Sequence, residues 1–382
     1  MQKTIAICLA LLLSGNCALA AEKASGQQKP LKAVAIKGVM ENKQYAAGVS
    51  APFGGVLGNK LIVAGGGNFS GNVLGKPLEQ KFYKDVYMAM LKQGSKKLRW
   101  QKVAELPLEL AGGATLTAPQ ALYFIGGTNQ GGDRAVCVEL KETAKGFQCE
   151  TISYLPFLAS NLAGGYMDDC LYVVGGLQNG KPARDLYRMQ LQGDRSKWQK
   201  LAPLPETARI QPVAAVQKDK SGKNKLYVWG GFDGWSQTSV LQCGGCKYDP
   251  QSNSWTPLAA PLKDEKRVYL GGGGAASLGT DKIAVLGGFD YAQLLAAIRQ
   301  TDPDYNKHEQ AWYKNNQEVY VYNTKTDKWQ CLGSLPLPGT VHSAVAIEDG
   351  RIYSIHGELK PGTSTNLVTA VELQSQGRPK GA

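Results

Sequence analysis

At 382 residues, with 43% hydrophobic residues, the chain can bury a large core and is too apolar to be disordered. Its net charge of +12 is scattered along the sequence. Nucleic-acid recognition needs a Lys/Arg stripe interleaved with aromatic residues, and none is present, so no nucleic-acid partner is expected; a diffuse positive field suits a small anionic ligand or simply a soluble surface.

Taken in chain order, Lys3 precedes an apolar run from Ile5 to Leu13, and Ala18, Leu19 and Ala20 follow. That order is a secretory signal with cleavage expected after Ala20, so the mature protein is expected to be exported. The run is too short to span a bilayer, and no later stretch is long and uncharged enough, so no membrane span is expected. Cys17 would permit lipoprotein processing, but Asn16 stands before it, where that site prefers a small residue. Six cysteines follow the signal: Cys137, Cys149, Cys170, Cys243, Cys246 and Cys331. Cys137 and Cys149 fall in neighbouring predicted strands and could be cross-linked in an oxidising compartment. Cys243 and Cys246 form a lone C-x-x-C. Zinc needs a second ligand pair, and a redox motif should open a helix, so a disulfide or free thiols are expected there.

A short apolar strand ending in a glycine doublet recurs through the chain. The doublets are Gly65 and Gly66, Gly126 and Gly127, Gly175 and Gly176, Gly230 and Gly231, and Gly287 and Gly288. A sixth, degenerate copy ends in His356 and Gly357. The spacing scatters around the kelch period of about 50 residues. A second mark keeps phase with the first: Trp100, Trp198, Trp255 and Trp329 each lead to a proline, and Phe147 replaces the Trp in one repeat. Four short strands between Gly, Pro and Asn turns make one propeller blade. The expected fold is therefore an all-β, six-bladed kelch-type β-propeller forming one domain over residues 21–382. The last blade offers only three strands of its own, and residues 31–39 form a strand that belongs to no other blade. The expectation is that this N-terminal strand completes the last blade and removes a free sheet edge. The fifth repeat carries an insertion at about 291–316, helical at 292–299, and an insertion of that length is usually functional.

The segment Ile355, His356, Gly357, Glu358, Leu359, Lys360, Pro361 and Gly362 resembles a motif of the N-acetylneuraminate epimerases, or sialic acid mutarotases, which are periplasmic six-bladed kelch propellers. The Gly287–Gly288 doublet with its long insertion, Thr207 to Arg209 before Ala214 to Val216, and Gly54 to Gly67 are similar to further parts of that family, in cyclically permuted order. A closed ring of blades tolerates new termini wherever the ends still meet. One departure stands out: Ser364 occupies the place where the family motif has an arginine thought to grip the substrate acid.

The residues following the six doublets are Gly67, Thr128, Leu177, Phe232, Phe289 and Glu358. One charge among five neutral siblings is not explained by blade packing. The resemblance implies that Glu358 is the proton acceptor in anomeric exchange of a sugar acid, a reaction that needs no cofactor and no metal. Arg209 and Arg267 each follow a proline and precede an inner strand, so both are expected at the mouth, where a guanidinium could hold the substrate carboxylate; Lys360 is a further candidate. His342 and His356 could supply the second proton, and Tyr291 and Tyr305 of the insertion could cover the sugar. The competing reading is a non-catalytic propeller that binds glycan or protein through its rim loops. A copper site would need at least two converging histidines, and only His308, His342 and His356 exist.

Overall fold

The computed structural model describes residues 31–40, 42–70, 79–92 and 97–373. The secretory signal, its cleavage site and Cys17 lie outside the described residues. The chain is all-β with a propeller-like arrangement of blades, and the α-helix lies in the insertion, at Tyr291–Ile298.

Five blades are contiguous antiparallel meanders, rather than the six expected. The first runs through Phe53–Leu57, Lys60–Ala64, Asp85–Met90 and Gln101–Glu105. The second begins at Ala114–Thr117 and ends in the long hairpin Gly132–Thr143 and Gly146–Ser160. The third, fourth and fifth begin at Ala163–Met167, Val213–Lys218 and Gly273–Leu278. A further sheet is composite. Ala344–Glu348, Arg351–Ile355 and Val368–Glu372 pair in order, and Lys32–Val39 adds the fourth strand, with Lys32 opposite Glu372 and Ile36 opposite Val368. Beyond that pairing the same strand turns onto Lys97–Arg99 in parallel register, so it also ties the composite sheet to the first blade.

The first strands of all six sheets pack side by side in a closed cycle, Phe53–Leu57 touching both Ala114–Thr117 and Ala344–Glu348. They enclose a central channel of about 690 Å³ lined mostly by Gly, Ala and Val. Neighbouring sheets are joined by hydrogen bonds from the second doublet glycine: Gly66 donates to Leu110, Gly127 to Ala159, Gly176 to Arg209, Gly288 to Thr340 and Gly357 to Val49. Both doublet residues have positive φ, and a Cβ on Gly65 would lie 2.4 Å from the Leu110 carbonyl oxygen. Glycine is therefore required twice over, by backbone conformation and by the close approach of the next sheet. The tryptophans reach across the same seams: Trp198 donates to Ser153, Trp255 to the Ala202 carbonyl and Trp329 to the Ala259 carbonyl.

One end of the channel is ringed by a backbone collar. Ala51, Gly112, Asn161, Gln211, Gly272 and His342 stand immediately before the six inner strands, all with φ between 52° and 74°. Each donates its N–H to the preceding member's carbonyl: Gly112 to Ala51, Asn161 to Gly112, Gln211 to Asn161, Gly272 to Gln211, His342 to Gly272, and Ala51 back to His342, at 2.7–3.1 Å.

The Cys137–Cys149 cross-link that the sequence would permit is not formed. Cys137 faces Ser153 and Cys149 faces Leu140, and the two side chains pack into different clusters on opposite faces of the sheet. Cys137 lies three residues from Leu140 on the same strand, so alternation alone sets it on the other face from Cys149. All six cysteines of the described residues are free thiols.

Candidate active site

The residues after the doublets bridge to the residues just before the collar, at the same place in successive sheets: Gly67 to Ser50, Thr128 to Ala111, Phe232 to Ile210 and Glu358 to Val341. Those positions surround the collar, and Glu358 is the one that brings a charge to it. Its side chain is only 13% exposed, but it is well held. Oε1 accepts the Gly362 N–H at 2.7 Å; Oε2 accepts the Ser50 hydroxyl at 3.3 Å and lies 3.4 Å from Nδ1 of His342. Local chain geometry explains the grip. The turn through Pro361 and Gly362, with Gly362 at φ 75°, folds the motif back so that a backbone donor meets the carboxylate four residues earlier. Ser364 pairs directly opposite Glu358 across this hairpin, and its Oγ is buried without a hydrogen-bond partner.

The insertion closes over the hairpin. Its helix starts at Asp290, whose carboxylate caps Ala292 and Gln293. Beyond it, His308 stacks on Trp312 with ring centroids 3.9 Å apart and pairs with Asp302, and the Tyr313 hydroxyl donates to the Tyr305 carbonyl. Asn315 donates to the Leu359 carbonyl at 3.0 Å, and the Lys360 ammonium donates to the His308 carbonyl at 3.0 Å. Lys360 thus ties the motif to the insertion. Burial raises the Tyr305 and Tyr313 hydroxyls above the usual tyrosine range, and the Glu358 charge adds to both. Of the two insertion tyrosines singled out by sequence, Tyr305 is the one that approaches Glu358. Tyr291 is 41% exposed and lies edge-on to Tyr269.

The arginines require a correction, because they do not converge on one mouth. Arg209 is 2% exposed, and its guanidinium donates to the carbonyls of Gly230 and Gly244 at 3.1 and 2.9 Å. It stands where the other sheets carry Val49, Leu110, Ala159 and Leu270, all buried, so it is a wall residue of the fourth blade. Arg267 stands three residues before the position equivalent to Arg209, on the exposed hairpin Leu262–Lys263 with Lys266–Arg267. It lines a lateral cleft of about 900 Å³ together with Tyr291, Lys314 and Leu359. That cleft adjoins the motif without being centred on Glu358.

His356 also leaves the site. It takes the place of the first doublet glycine at φ 56° and is 2% exposed, with its ring near Tyr45 and Trp100. Burial lowers its pKa to about 4, so the ring is neutral near pH 7. His342 is the histidine that meets Glu358; its ring also lies edge-on to Phe289 at 5.3 Å. Sequence reasoning missed Asn161 and Gln211, because nothing in the sequence marks a collar position in which glycine is used only twice, and Ser50, which stands just before one. Among the described residues, no group of three or more His, Cys, Asp or Glu side chains could hold a metal ion, and no helix is long and apolar enough to cross a membrane.

The propeller-like scaffold thus sets a carboxylate–imidazole pair, two groups able to exchange protons, at the collar end of its channel. A family model for N-acetylneuraminate epimerase matches residues 154–379, and the chain belongs to that family. The N-acetylneuraminate epimerase of Yersinia enterocolitica is 32% identical over 233 residues, covering 56% of this chain and 57% of the relative. That of Salmonella typhi is 27% identical over 248 residues, 61% of each chain. The chain thus spans about three-fifths of the length of the curated relatives it matches.

Proposed function

We propose that this protein interconverts the anomers of N-acetylneuraminate or a closely related sugar acid by acid–base opening and reclosure of the sugar ring. The observation that carries the reading is Glu358: one carboxylate among the neutral post-doublet residues, held by Gly362 and Ser50 and paired with His342. In the forward step Glu358 takes the proton of the anomeric hydroxyl. The bond between the anomeric carbon and the ring oxygen breaks as that oxygen gains a proton from His342, leaving an open-chain 2-keto acid. Rotation about the carbonyl carbon and the reverse transfers close the ring on the other face. Both transfers are general acid–base steps, so neither cofactor nor metal enters. With Arg209 in the wall, Arg267 of the adjoining cleft is assigned to attract the substrate carboxylate.

We also read the composite sheet as a sixth blade. The closed collar and the Gly357-to-Val49 link, which repeats the pattern of the other seams, support this. A family match confined to residues 154–379 fits a cyclically permuted member. The leader-like N-terminus supports action in the periplasm.

The test is proton NMR of N-acetylneuraminate freshly released by a sialidase. Faster equilibration of the anomeric signals with catalytic amounts of protein supports the reading. An unchanged rate would turn attention to the rim-binding alternative, for which exposed Trp235, Tyr154 and Leu158 are the natural contacts.

A further inference from the structure

The collar is uneven around its circumference, and the unevenness marks a ligand subsite. In order from Glu358 its members are His342, Ala51, Gly112, Asn161, Gln211 and Gly272. The space beside Gly272 is filled: a Cβ there would lie 2.4 Å from the Phe289 ring, and Gly272 is buried. The space beside Gly112 is not. A Cβ there would meet only Asn161 Oδ1 at 3.8 Å and the Ala51 Cβ at 4.0 Å, and all three residues are half-exposed. These contacts also show that the collar side chains gather on one side. The channel lining starts one residue later, at Pro52, Gly113, Leu162 and Pro212, so that side is the mouth and not the channel.

A hollow floored by Ala51 and Gly112 therefore lies between two polar walls. On one side stand His342 and Glu358, with Ser50 adjoining Ala51. On the other stand the carboxamides of Asn161 and Gln211, which are only loosely engaged. Gln211 Nε2 donates to Asn161 Oδ1 at 3.4 Å, and Asn161 Nδ2 donates to the Ser160 hydroxyl at 3.3 Å. Contacts that long are weak and leave donors and acceptors for a ligand.

We propose that Asn161 and Gln211 bind the neutral, hydroxyl- or amide-bearing part of the substrate over the Ala51–Gly112 hollow, across the mouth from Glu358. A carboxamide is both donor and acceptor, which suits hydroxyl and acylamino groups and offers no charge to a carboxylate. These two residues set specificity for a polyhydroxylated acid over a simple keto acid, while Glu358 and His342 act at the anomeric centre. The inference rests on the proposed function.

The test uses the full-length protein, N-acetylneuraminate as probe, and two readouts: ligand-observed NMR for Kd, and anomeric exchange for kcat and KM. Asn161→Ala and Gln211→Ala are each expected to raise Kd and KM about five- to tenfold, the loss of one or two neutral hydrogen bonds, with kcat and the melting temperature little changed. Gly112→Asn fills the hollow with a residue that accepts the collar's backbone conformation, and should weaken binding at least as much. If wild type exchanges anomers while all three variants keep its Kd and KM, the subsite is refuted and the acid–base assignment stands. If wild type neither binds nor exchanges N-acetylneuraminate, the functional reading fails and the subsite fails with it.

Discussion

The fourth blade and the composite sheet place different chemistry on the same backbone. In both, a residue after the doublet bridges to a strand just before the collar: Phe232 to Ile210 in one, Glu358 to Val341 in the other. In both, a carbonyl one residue further back receives a neighbouring sheet's glycine N–H, Arg209 from Gly176 and Thr340 from Gly288. Yet the fourth blade buries its charge, spending Arg209 on the carbonyls of Gly230 and Gly244, whereas the composite sheet turns Glu358 and His342 toward the collar. A charge near the mouth in sequence thus reaches the collar or is spent in the wall according to which of two adjacent register positions it occupies.

The most damaging change to the composite sheet, Glu358 itself apart, should be His342→Gln. Glutamine already occupies the equivalent collar conformation at Gln211, so the backbone is preserved. Anomeric exchange should fall about 10²- to 10³-fold, as loss of a general acid–base partner implies; a rate within twofold of wild type would remove His342 from the chemistry.

His356 should matter for stability and not for exchange. Its folded pKa is about 4 against 6.5 for the free side chain, so between those values the unfolded chain binds the extra proton. Stability is then lost as pH falls through 6.5 and levels off near 4, a contribution of roughly 3 kcal/mol at most. His356→Asn, which tolerates the positive φ, should flatten the melting temperature's fall between pH 7 and pH 4. An unaltered slope would show that other groups govern acid unfolding.

In the fourth blade, Arg209→Met should cost about 2 kcal/mol by leaving two buried carbonyls without donors, seen as a lower melting temperature with KM unchanged. A raised KM at unchanged stability would return Arg209 to the substrate. The smallest effect is expected from Arg267→Ala on the exposed hairpin: KM up about three- to tenfold and the melting temperature within roughly a degree. Equal KM values would leave the lateral cleft outside the reaction.

Much of this architecture is legible in the sequence, because the doublets report a backbone constraint that only glycine meets cheaply, and because a lone carboxylate in a repeated neutral position stands out from its siblings. Even the strand at residues 31–39 is assignable, since a three-stranded last repeat leaves an edge to cover. What escapes is what tertiary packing decides. Arg209 and Arg267 look equivalent because each stands between a proline and an inner strand, but three residues separate their true register positions. Cys137 and Cys149 look adjacent, but Cys149 pairs with Leu140, three residues along the strand from Cys137, so strand alternation puts the two on opposite faces. The collar has no sequence mark at all: Ala51, Asn161, Gln211 and His342 accept positive φ because the closed hydrogen-bonded cycle holds them there.

The central claim, that Glu358 is the base, is tested most directly by anomeric exchange of N-acetylneuraminate with Glu358→Gln beside wild type, both confirmed folded by their melting temperatures. Glutamine keeps the shape and the hydrogen-bond acceptor toward Gly362 but cannot take the proton, so exchange should drop to the uncatalysed rate while substrate still binds. A Glu358→Gln protein that exchanges anomers as fast as wild type would contradict the account.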